Sequence, residues 1–178
     1  MSNVALGGSG TVYYVDPAGD DNNTGNAPNA AWKTLDKVNS VTFVAGDQIL
    51  FKSGGVWNGL LHPKGSGTEG SPIVIDQYDG TTKPIIHGGG TVNGSATIFL
   101  SKQSYWEINN LEVTNTVPVG TTLAVTGIRI EGSPADSVAS KHVYVKNCYV
   151  HDVNSAGVNQ ANYQKITGGI IILFKFDD

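Results

Sequence analysis

Cysteine is almost absent from the sequence: Cys148 is its only cysteine, so an internal disulfide bond is excluded. Charged residues make up only 15% of the chain and the net charge is −4, so electrostatics gives no reason to expect a nucleic-acid or anionic-membrane partner. No apolar run is long enough to span a bilayer. The first ten residues, MSNVALGGSG, lack the basic and apolar regions of a signal peptide. We expect a secreted or cell-surface protein whose export signal has been removed, with a cytoplasmic protein as the alternative.

The sequence is instead rich in turn and strand residues. Its 178 residues correspond to one domain, and 23 of them are glycine. Beyond residue 46 the chain consists of short apolar segments separated by turns, which is typical of all-β proteins. Before that point, the segment AAWKTLDKVNSV places Trp32, Leu35 and Val38 on one side of a single predicted helix.

Two segments, residues 105–116 and 143–154, resemble each other at an offset of 37 residues (145 − 108). The offset aligns Trp106 with Val143, Ile108 with Val145, Asn110 with Asn147, Leu111 with Cys148 and Val113 with Val150. The other strand segments extend this pattern into three families with variable spacing, which predicts a solenoid with loops inserted at its corners. The families are 72–76, 105–109 and 143–147; 83–88, 111–115 and 148–152; and 97–101, 127–132 and 169–173, with Ile98, Ile128 and Ile170 equivalent.

Three strands per coil, with a tight turn between the first two families, predict a parallel β-helix. In such a turn an asparagine tolerates left-handed backbone angles and can bond to the asparagine one coil away. We therefore expect Asn110 and Asn147 to form a structural ladder. Cys148 aligns with Leu111 and is expected to be a small buried apolar residue rather than a reactive thiol. The alternative is a β-sandwich of hairpin-connected strands whose similarity is accidental.

The amino-terminal segment contains three recognisable motifs. They are YYVD at 13–16 with Gly19, Asp20 and Gly25; Trp32, Thr34, Leu35, Lys37 and Val38; and GDQILF at 46–51. Together they resemble the start of right-handed parallel β-helix proteins of the pectate-lyase-like superfamily, including polysaccharide lyases of the chondroitinase B and alginate lyase type.

The resemblance implies an all-β, right-handed parallel β-helix with a short capping helix. Residues 1–45 would form the amino-terminal strand, loop and capping helix, and residues 46–178 would form coils of the same domain. Trp32 and Leu35 would then have structural roles, because the helix hides the apolar interior of the first coil. Enzymes of this family usually have many more coils, so the chain is expected to be truncated at its carboxyl end.

In the resembled lyases the substrate lies along the sheet formed by the third strand family. The alternation that turns Ile128 and Ile130 inward turns Arg129 and Glu131 outward onto this sheet. There Arg129 could hold a uronate carboxylate, or the two residues could form an ordinary surface pair. Because a uronic-acid lyase needs a base and a cation, the catalytic candidates are Arg129, His151 and Lys165. The substrate-binding candidates are Glu131, Tyr144, Tyr149 and Tyr163.

A metal site is indicated only by the pattern D-x-N-x-T-G that begins at Asp20 and resembles the first half of a calcium loop. Its twelfth position, where a bidentate glutamate is needed, is Ala31, so an EF-hand is excluded. A looser Ca²⁺ site formed by Asp20 and Asp21 is the alternative to a plain turn. The sequence requires no cofactor.

These observations favour the amino-terminal part of an extracellular polysaccharide lyase that acts on acidic, uronate-containing glycans. The fragment alone is expected to be inactive. One alternative is a non-catalytic glycan-binding or cell-surface β-helix protein, in which Tyr144 and Tyr149 stack on sugars. Another is a structural subunit that self-associates through its uncapped carboxyl-terminal coil. No nucleic-acid partner and no membrane span are expected in any of these cases.

Overall fold

The computed structural model describes residues 10–92, 95–132, 140–154 and 167–174. It is 48% strand and 6% helix, which confirms the all-β prediction. In these four ranges no helix has both the length and the apolar character needed to cross a membrane. The elements, in chain order, are β1 (Val12–Val15), a 3-10 turn (Pro28–Ala30), α1 (Leu35–Ser40), β2 (Thr42–Phe43), β3 (Gln48–Lys52), β4 (Val56–Asn58), β5 (Lys64–Gly65), β6 (Ile73–Tyr78), β7 (Ile85–His87), β8 (Ser95–Ser101), β9 (Trp106–Asn109), β10 (Glu112–Thr116), β11 (Val125–Gly132), β12 (Val143–Lys146), β13 (Tyr149–Asn154) and β14 (Gly168–Phe174).

The strands form three main sheets in which every neighbouring pair is parallel. The first sheet has the order β1-β3-β6-β9-β12, the second β13-β10-β7-β4 and the third β14-β11-β8. A small fourth sheet pairs β2 with β5. From β6 onward, consecutive strands enter the first, second and third sheets in turn. The parallel pairing excludes the sandwich of hairpin-connected strands, in which neighbouring strands are antiparallel.

The register of the sheets agrees with the offset seen in the sequence. The observed pairs include Trp106 with Val143, Ile108 with Val145, Val113 with Val150, Ile98 with Ile128, and Ile128 with Ile170. Like residues therefore lie next to like residues on adjacent strands. The stacked apolar columns that this arrangement predicts are present.

One hydrophobic core is shared by all three main sheets. Ile108 of the first sheet, Val113 of the second and Ile128 of the third are fully buried members of the same cluster. Cys148 packs against this cluster and is partly buried, and its burial raises the pKa of the thiol. It is therefore a core-facing residue, as the alignment with Leu111 predicted.

The amino-terminal helix is shorter than the sequence pattern suggested. It begins after Thr34, whose side chain accepts a hydrogen bond from the Lys37 backbone N–H at 3.1 Å and so caps the first turn. Leu35 and Val38 are its buried residues. Trp32 is not helical, because its backbone bonds to the end of β1 instead, but its ring is buried.

The tight turn between the first and second sheets contains the predicted asparagine ladder. Asn110 and Asn147 have φ values of 58° and 51°, in the left-handed region. Asn147 Nδ2 donates to Asn110 Oδ1 at 2.6 Å, and Asn110 Nδ2 donates to Asp76 Oδ1 at 2.6 Å. The ladder thus extends one strand further than the sequence suggested, since Asp76 lies in β6.

Replacing Asn110 with alanine is expected to lower the free energy of unfolding by about 2–3 kcal/mol. The change removes two side-chain hydrogen bonds, worth about 1 kcal/mol each, and forces a left-handed backbone on a residue that disfavours it. Asn110→Gly is the matched control, because glycine accepts the backbone angles and loses only the hydrogen bonds. Urea unfolding should find the glycine variant more stable than the alanine variant by about 1 kcal/mol. Equal stabilities of the two variants would contradict the expected effect of the left-handed backbone angle at residue 110.

Candidate functional site

The outer face of the third sheet carries two columns of side chains in register. One column contains Phe99, Arg129 and Ile171, and the other contains Ser101, Glu131 and Leu173. Ile128 and Ile130, which alternate with them, point into the core and are 0% and 4% exposed. The neighbours of Arg129 and Glu131 are thus those that the strand alternation predicted.

Arg129 and Glu131 form an ion pair that is largely buried. Arg129 Nε donates to Glu131 Oε1 at 2.7 Å, and the Arg129 side chain is 14% exposed while that of Glu131 is 9% exposed. The guanidinium carbon lies 4.9 Å from the centroid of the Phe99 ring, which adds a cation–π contact. The pair that the sequence offered as an alternative is therefore present, but its charges are mostly shielded from water rather than exposed on the surface.

His62 extends the first column at the amino-terminal side. Leu61 pairs in parallel with Ile98, which places His62 next to Phe99 with 4.8 Å between the ring centroids. Burial, and then the positive charge of Lys64, lower the pKa of His62, so the neutral imidazole is favoured. We name the surface formed by His62, Phe99, Ser101, Arg129 and Glu131 the third-sheet face.

Sequence reasoning missed His62, although a signal was present. Leu61 precedes Ile98 by 37 residues (98 − 61), the same offset that aligns Asn110 with Asn147. Applying the same offset to His62 aligns it with Phe99. The segment around His62 forms only an isolated β-bridge and no regular strand. The strand pattern of the sequence alone therefore did not indicate that His62 lies beside Phe99.

His151 lies on the outer side of the second sheet within a separate charged cluster. Its Nε2 is 3.1 Å from Glu112 Oε1 and its Nδ1 is 3.0 Å from Asp152 Oδ2. Desolvation lowers the pKa of His151, but the hydrogen bonds to Glu112 and Asp152 outweigh it and raise the pKa overall. The charged imidazolium is favoured, which suits an electrostatic role better than that of a general base.

The sequence-predicted catalytic residues do not converge in the described structure. Arg129 belongs to the third sheet and His151 to the second, so the two side chains lie on different faces. Lys165 and Tyr163 lie outside the described residues. Tyr144 and Tyr149 are exposed, as predicted, but Tyr144 lies on the first sheet and Tyr149 on the second.

The acidic loop near the amino terminus is tied to the helix cap. Asp21 accepts hydrogen bonds from the backbone N–H groups of Lys33 and Thr34, at 2.8 and 2.9 Å, and from the Thr34 hydroxyl at 2.6 Å. Burial raises the pKa of Asp21, but these hydrogen bonds outweigh it and lower the pKa overall. Asp20 lines a polar cleft of about 260 Å³ together with Asp16.

Metal ligation remains a prediction for this loop. Among the residues that the structure describes, no group of three or more His, Cys, Asp or Glu side chains is arranged to hold a metal ion. The Asp21 carboxylate positions Thr34, which in turn caps α1. The looser Ca²⁺ site at Asp20 and Asp21 would therefore compete with this structural role.

Comparison with known proteins finds similarity to parts of larger proteins that are named as carbohydrate-active enzymes. No protein-family model matches the chain. The chain is 30% identical to the lacto-N-biosidase of Bifidobacterium longum subsp. longum over 93% of its own length, which corresponds to 13% of that enzyme. It also matches the crystal structure of GH136 lacto-N-biosidase from Eubacterium ramulus, with a TM-score of 0.78 and 26% identity over 93% of this chain and 30% of that chain.

A rhamnogalacturonan lyase is also similar, with a TM-score of 0.58 and 20% identity over 78% of this chain and 36% of that chain. This likeness shows the fold alone. The predicted resemblance to polysaccharide lyases is thus supported at the level of the fold, while the relative with the higher identity is named as a hydrolase. The chain spans less than a third of either lacto-N-biosidase.

Proposed function

We propose that the chain is a right-handed parallel β-helix with three strands per coil. Support comes from the strand order, because β6, β7 and β8 enter the three main sheets in turn and the next two sets of strands repeat that order. Right-handedness follows from the strong general preference of crossover connections between parallel strands. In this proposal residues 1–45 form the strand, loop and capping helix, and residues 46–178 form coils of the same domain.

The protein is, in our proposal, part of a secreted or cell-surface enzyme that hydrolyses the glycosidic bond of a lacto-N-bioside. The observation that carries it is the 30% identity to lacto-N-biosidase over 93% of the chain. The TM-score of 0.78 to the Eubacterium ramulus enzyme supports the same assignment. The third-sheet face, with its partly exposed Phe99 ring, is the surface on which we place the sugar.

The chain alone is expected to be inactive because of the chemistry that hydrolysis requires. Glycosidases commonly use one carboxylic acid that protonates the leaving oxygen and one carboxylate that acts as base or nucleophile. On the third-sheet face, Glu131 accepts a hydrogen bond from Arg129. On the second sheet, Glu112 and Asp152 are both engaged with His151. In this proposal at least one catalytic carboxyl group comes from another part of the enzyme.

A polysaccharide lyase acting on an acidic glycan is the second candidate, and the placement of both His62 and Arg129 against Phe99 favours it. Both residues flank Phe99 on the third-sheet face. Burial and Lys64 lower the pKa of His62, so a neutral imidazole is available as a base, while an arginine can bind a uronate carboxylate. The competing bond from Arg129 to Glu131 makes this candidate weaker than the hydrolase.

The full-length gene product is expected to release lacto-N-biose from an aryl lacto-N-bioside, whereas the 178-residue chain alone is expected to release none. Aryl release and chromatography of the sugar measure this reaction. Polygalacturonate, alginate and chondroitin are tested in parallel for the ultraviolet absorbance of an unsaturated uronate. Rising absorbance without lacto-N-biose release would replace the hydrolase by the lyase, and the absence of both signals would refute both.

A variant of the third-sheet face tests where the substrate binds. Phe99→Ala in the full-length protein should raise KM about three- to tenfold with little change in kcat, since it removes a stacking surface rather than a reacting group. Val119→Ala is the control, because Val119 is fully exposed in a turn. Unchanged KM in Phe99→Ala would move the substrate away from this face while leaving the assigned reaction intact.

Self-association through the carboxyl-terminal coil is a proposal that rests on the last described strand. Ile170 and Ile172 of β14 are 49% and 63% exposed, although Ile170 is in register with the buried Ile128. Either further coils or a second copy would cover these side chains. Sedimentation velocity of the chain and of Ile172→Lys distinguishes these two possibilities. If copies of the chain assemble, the lysine should lower the mass of the sedimenting species, and otherwise that mass should not change.

A further inference from the structure

A row of three rings lies on the outer side of the first sheet, away from the third-sheet face. The rings of Tyr105 and His142 are stacked with their centroids 5.7 Å apart, and those of His142 and Tyr144 are 4.2 Å apart. Tyr144 is 48% exposed and the His142 side chain is 32% exposed. We name this surface, formed by Tyr105, His142 and Tyr144, the aromatic shelf.

Charged groups of both signs border the aromatic shelf. Glu107 accepts a hydrogen bond from Lys146 Nζ at 2.8 Å, and its other carboxylate oxygen is 3.3 Å from His142 Nε2. Lys146 Nζ also lies 5.1 Å from the centroid of the Tyr144 ring. The bonds from Lys146 and His142 lower the pKa of Glu107 despite desolvation, so the carboxylate balances the ammonium. The border of the aromatic shelf therefore offers a hydrogen-bond acceptor and hydrogen-bond donors without a large net charge.

The backbone fixes the position of the shelf. Tyr105 and His142 have φ values of 59° and 51°, and left-handed angles are unfavourable for a residue as bulky as tyrosine. Hydrogen bonds from Tyr105 N–H to Lys141 O at 2.7 Å and from Trp106 N–H to His142 O at 3.0 Å hold this corner in place. The two rings thus project from a defined position on consecutive coils and need no reordering to receive a ligand.

We propose that the aromatic shelf is a second saccharide-binding site that stacks neutral pyranose units. A pyranose has an apolar C–H face that packs on aromatic rings, and hydroxyl groups at its edge that bond to donors and acceptors. The exposed part of the Tyr144 ring supplies the apolar contact surface, and Glu107 and Lys146 supply the bonding groups beside it. The choice of a sugar as ligand rests in part on the proposed function, and the site is distinct from the third-sheet face.

The test is an NMR titration of the ¹⁵N-labelled chain with lacto-N-biose, with digalacturonate as the anionic comparison. The expected result is a set of saturable shifts at the backbone amides of residues 142–146. Tyr144→Ala should weaken the affinity derived from these shifts by about tenfold, while Tyr144→Phe should stay within about twofold because it keeps the ring face. Raising the salt concentration should change the affinity for lacto-N-biose little, since the charges that border the shelf are balanced.

Three results would overturn the site: no shifts at residues 142–146, an affinity unchanged by Tyr144→Ala, or shifts produced by digalacturonate alone and lost in salt. Circular dichroism of Tyr144→Ala shows that the variant remains folded. The outcome is independent of the enzymatic assay. Binding at the shelf without lacto-N-biose release by the full-length protein would refute the proposed hydrolase only, and hydrolysis without shelf binding would refute this inference only.

Discussion

Replacing Trp106 with alanine is expected to lower the free energy of unfolding by about 3–5 kcal/mol. Trp106 is fully buried in the first sheet, in register with Ile73 and Val143 on the neighbouring strands. Its ring makes an edge contact with Phe43, and its Nε1 donates to Gly65 O at 3.0 Å. Alanine would therefore leave a cavity in the shared core and remove one of the two side-chain hydrogen bonds that Gly65 O accepts, while the bond from Gln103 Nε2 remains.

Chemical denaturation followed by far-ultraviolet circular dichroism measures this loss without relying on tryptophan fluorescence. Tyr149→Ala is the matched control, because it also removes an aromatic ring but one that is 56% exposed, and should cost less than about 1 kcal/mol. Trp106→Phe should fall between the two, since it keeps a ring and loses the indole hydrogen bond. If Trp106→Ala lowered the free energy of unfolding by less than about 1 kcal/mol, this would contradict the packing of Trp106 in the shared core.

The parallel arrangement could be predicted because parallel strands paired in register repeat one environment from strand to strand. Ile108 and Val145 occupy equivalent core positions, so both are apolar, and Asn110 and Asn147 occupy equivalent left-handed turns, so both are asparagine. The offset of 37 residues is visible because the chain length between these positions is the same. Such periodicity reports burial and backbone angle, which are the properties that the neighbouring strand of the sheet imposes.

The amino-terminal strands were harder to predict because they lack this regularity. Strands β1, β3 and β4 extend the first and second sheets, yet the loop and helix between β1 and β3 hide their periodicity. Trp32 was placed in the helix because it fits the helical spacing of Leu35 and Val38. Its backbone instead continues the pairing with β1, a tertiary contact that local propensity does not encode.

The candidate site could be predicted only as far as its strand alternation. Arg129 and Glu131 follow from the period of two, and so do their neighbours on adjacent strands. The low exposure of the pair could not be predicted from strand alternation. The exposure of an outward-pointing side chain depends on which other parts of the chain pack against it. The contact between His151 and Glu112 could not be predicted either. The two residues are 39 positions apart in the sequence and become neighbours only when their strands pair.

Breaking the Arg129–Glu131 pair is expected to be as costly as opening a cavity in the core. Either Arg129→Met or Glu131→Leu alone should lower the free energy of unfolding by about 3–5 kcal/mol, because each removes one partner of a mostly buried ion pair. The double variant should be closer to the wild type than either single variant, since methionine and leucine can pack against Phe99 without any charge to desolvate. The energies of the four proteins form a double-mutant cycle, measured by urea unfolding.

The expected coupling energy is about 2 kcal/mol or more, well above that of an exposed pair. Lys52 and Asp79 supply the comparison, because this pair is also an ion pair but its side chains are 33% and 68% exposed. The same cycle there should give a coupling below about 1 kcal/mol. If the two cycles gave equal couplings, the Arg129–Glu131 pair would act as a surface pair, and Arg129 could exchange Glu131 for the carboxylate of an acidic sugar. A strong coupling instead holds Arg129 on Glu131 and favours the hydrolase over the lyase.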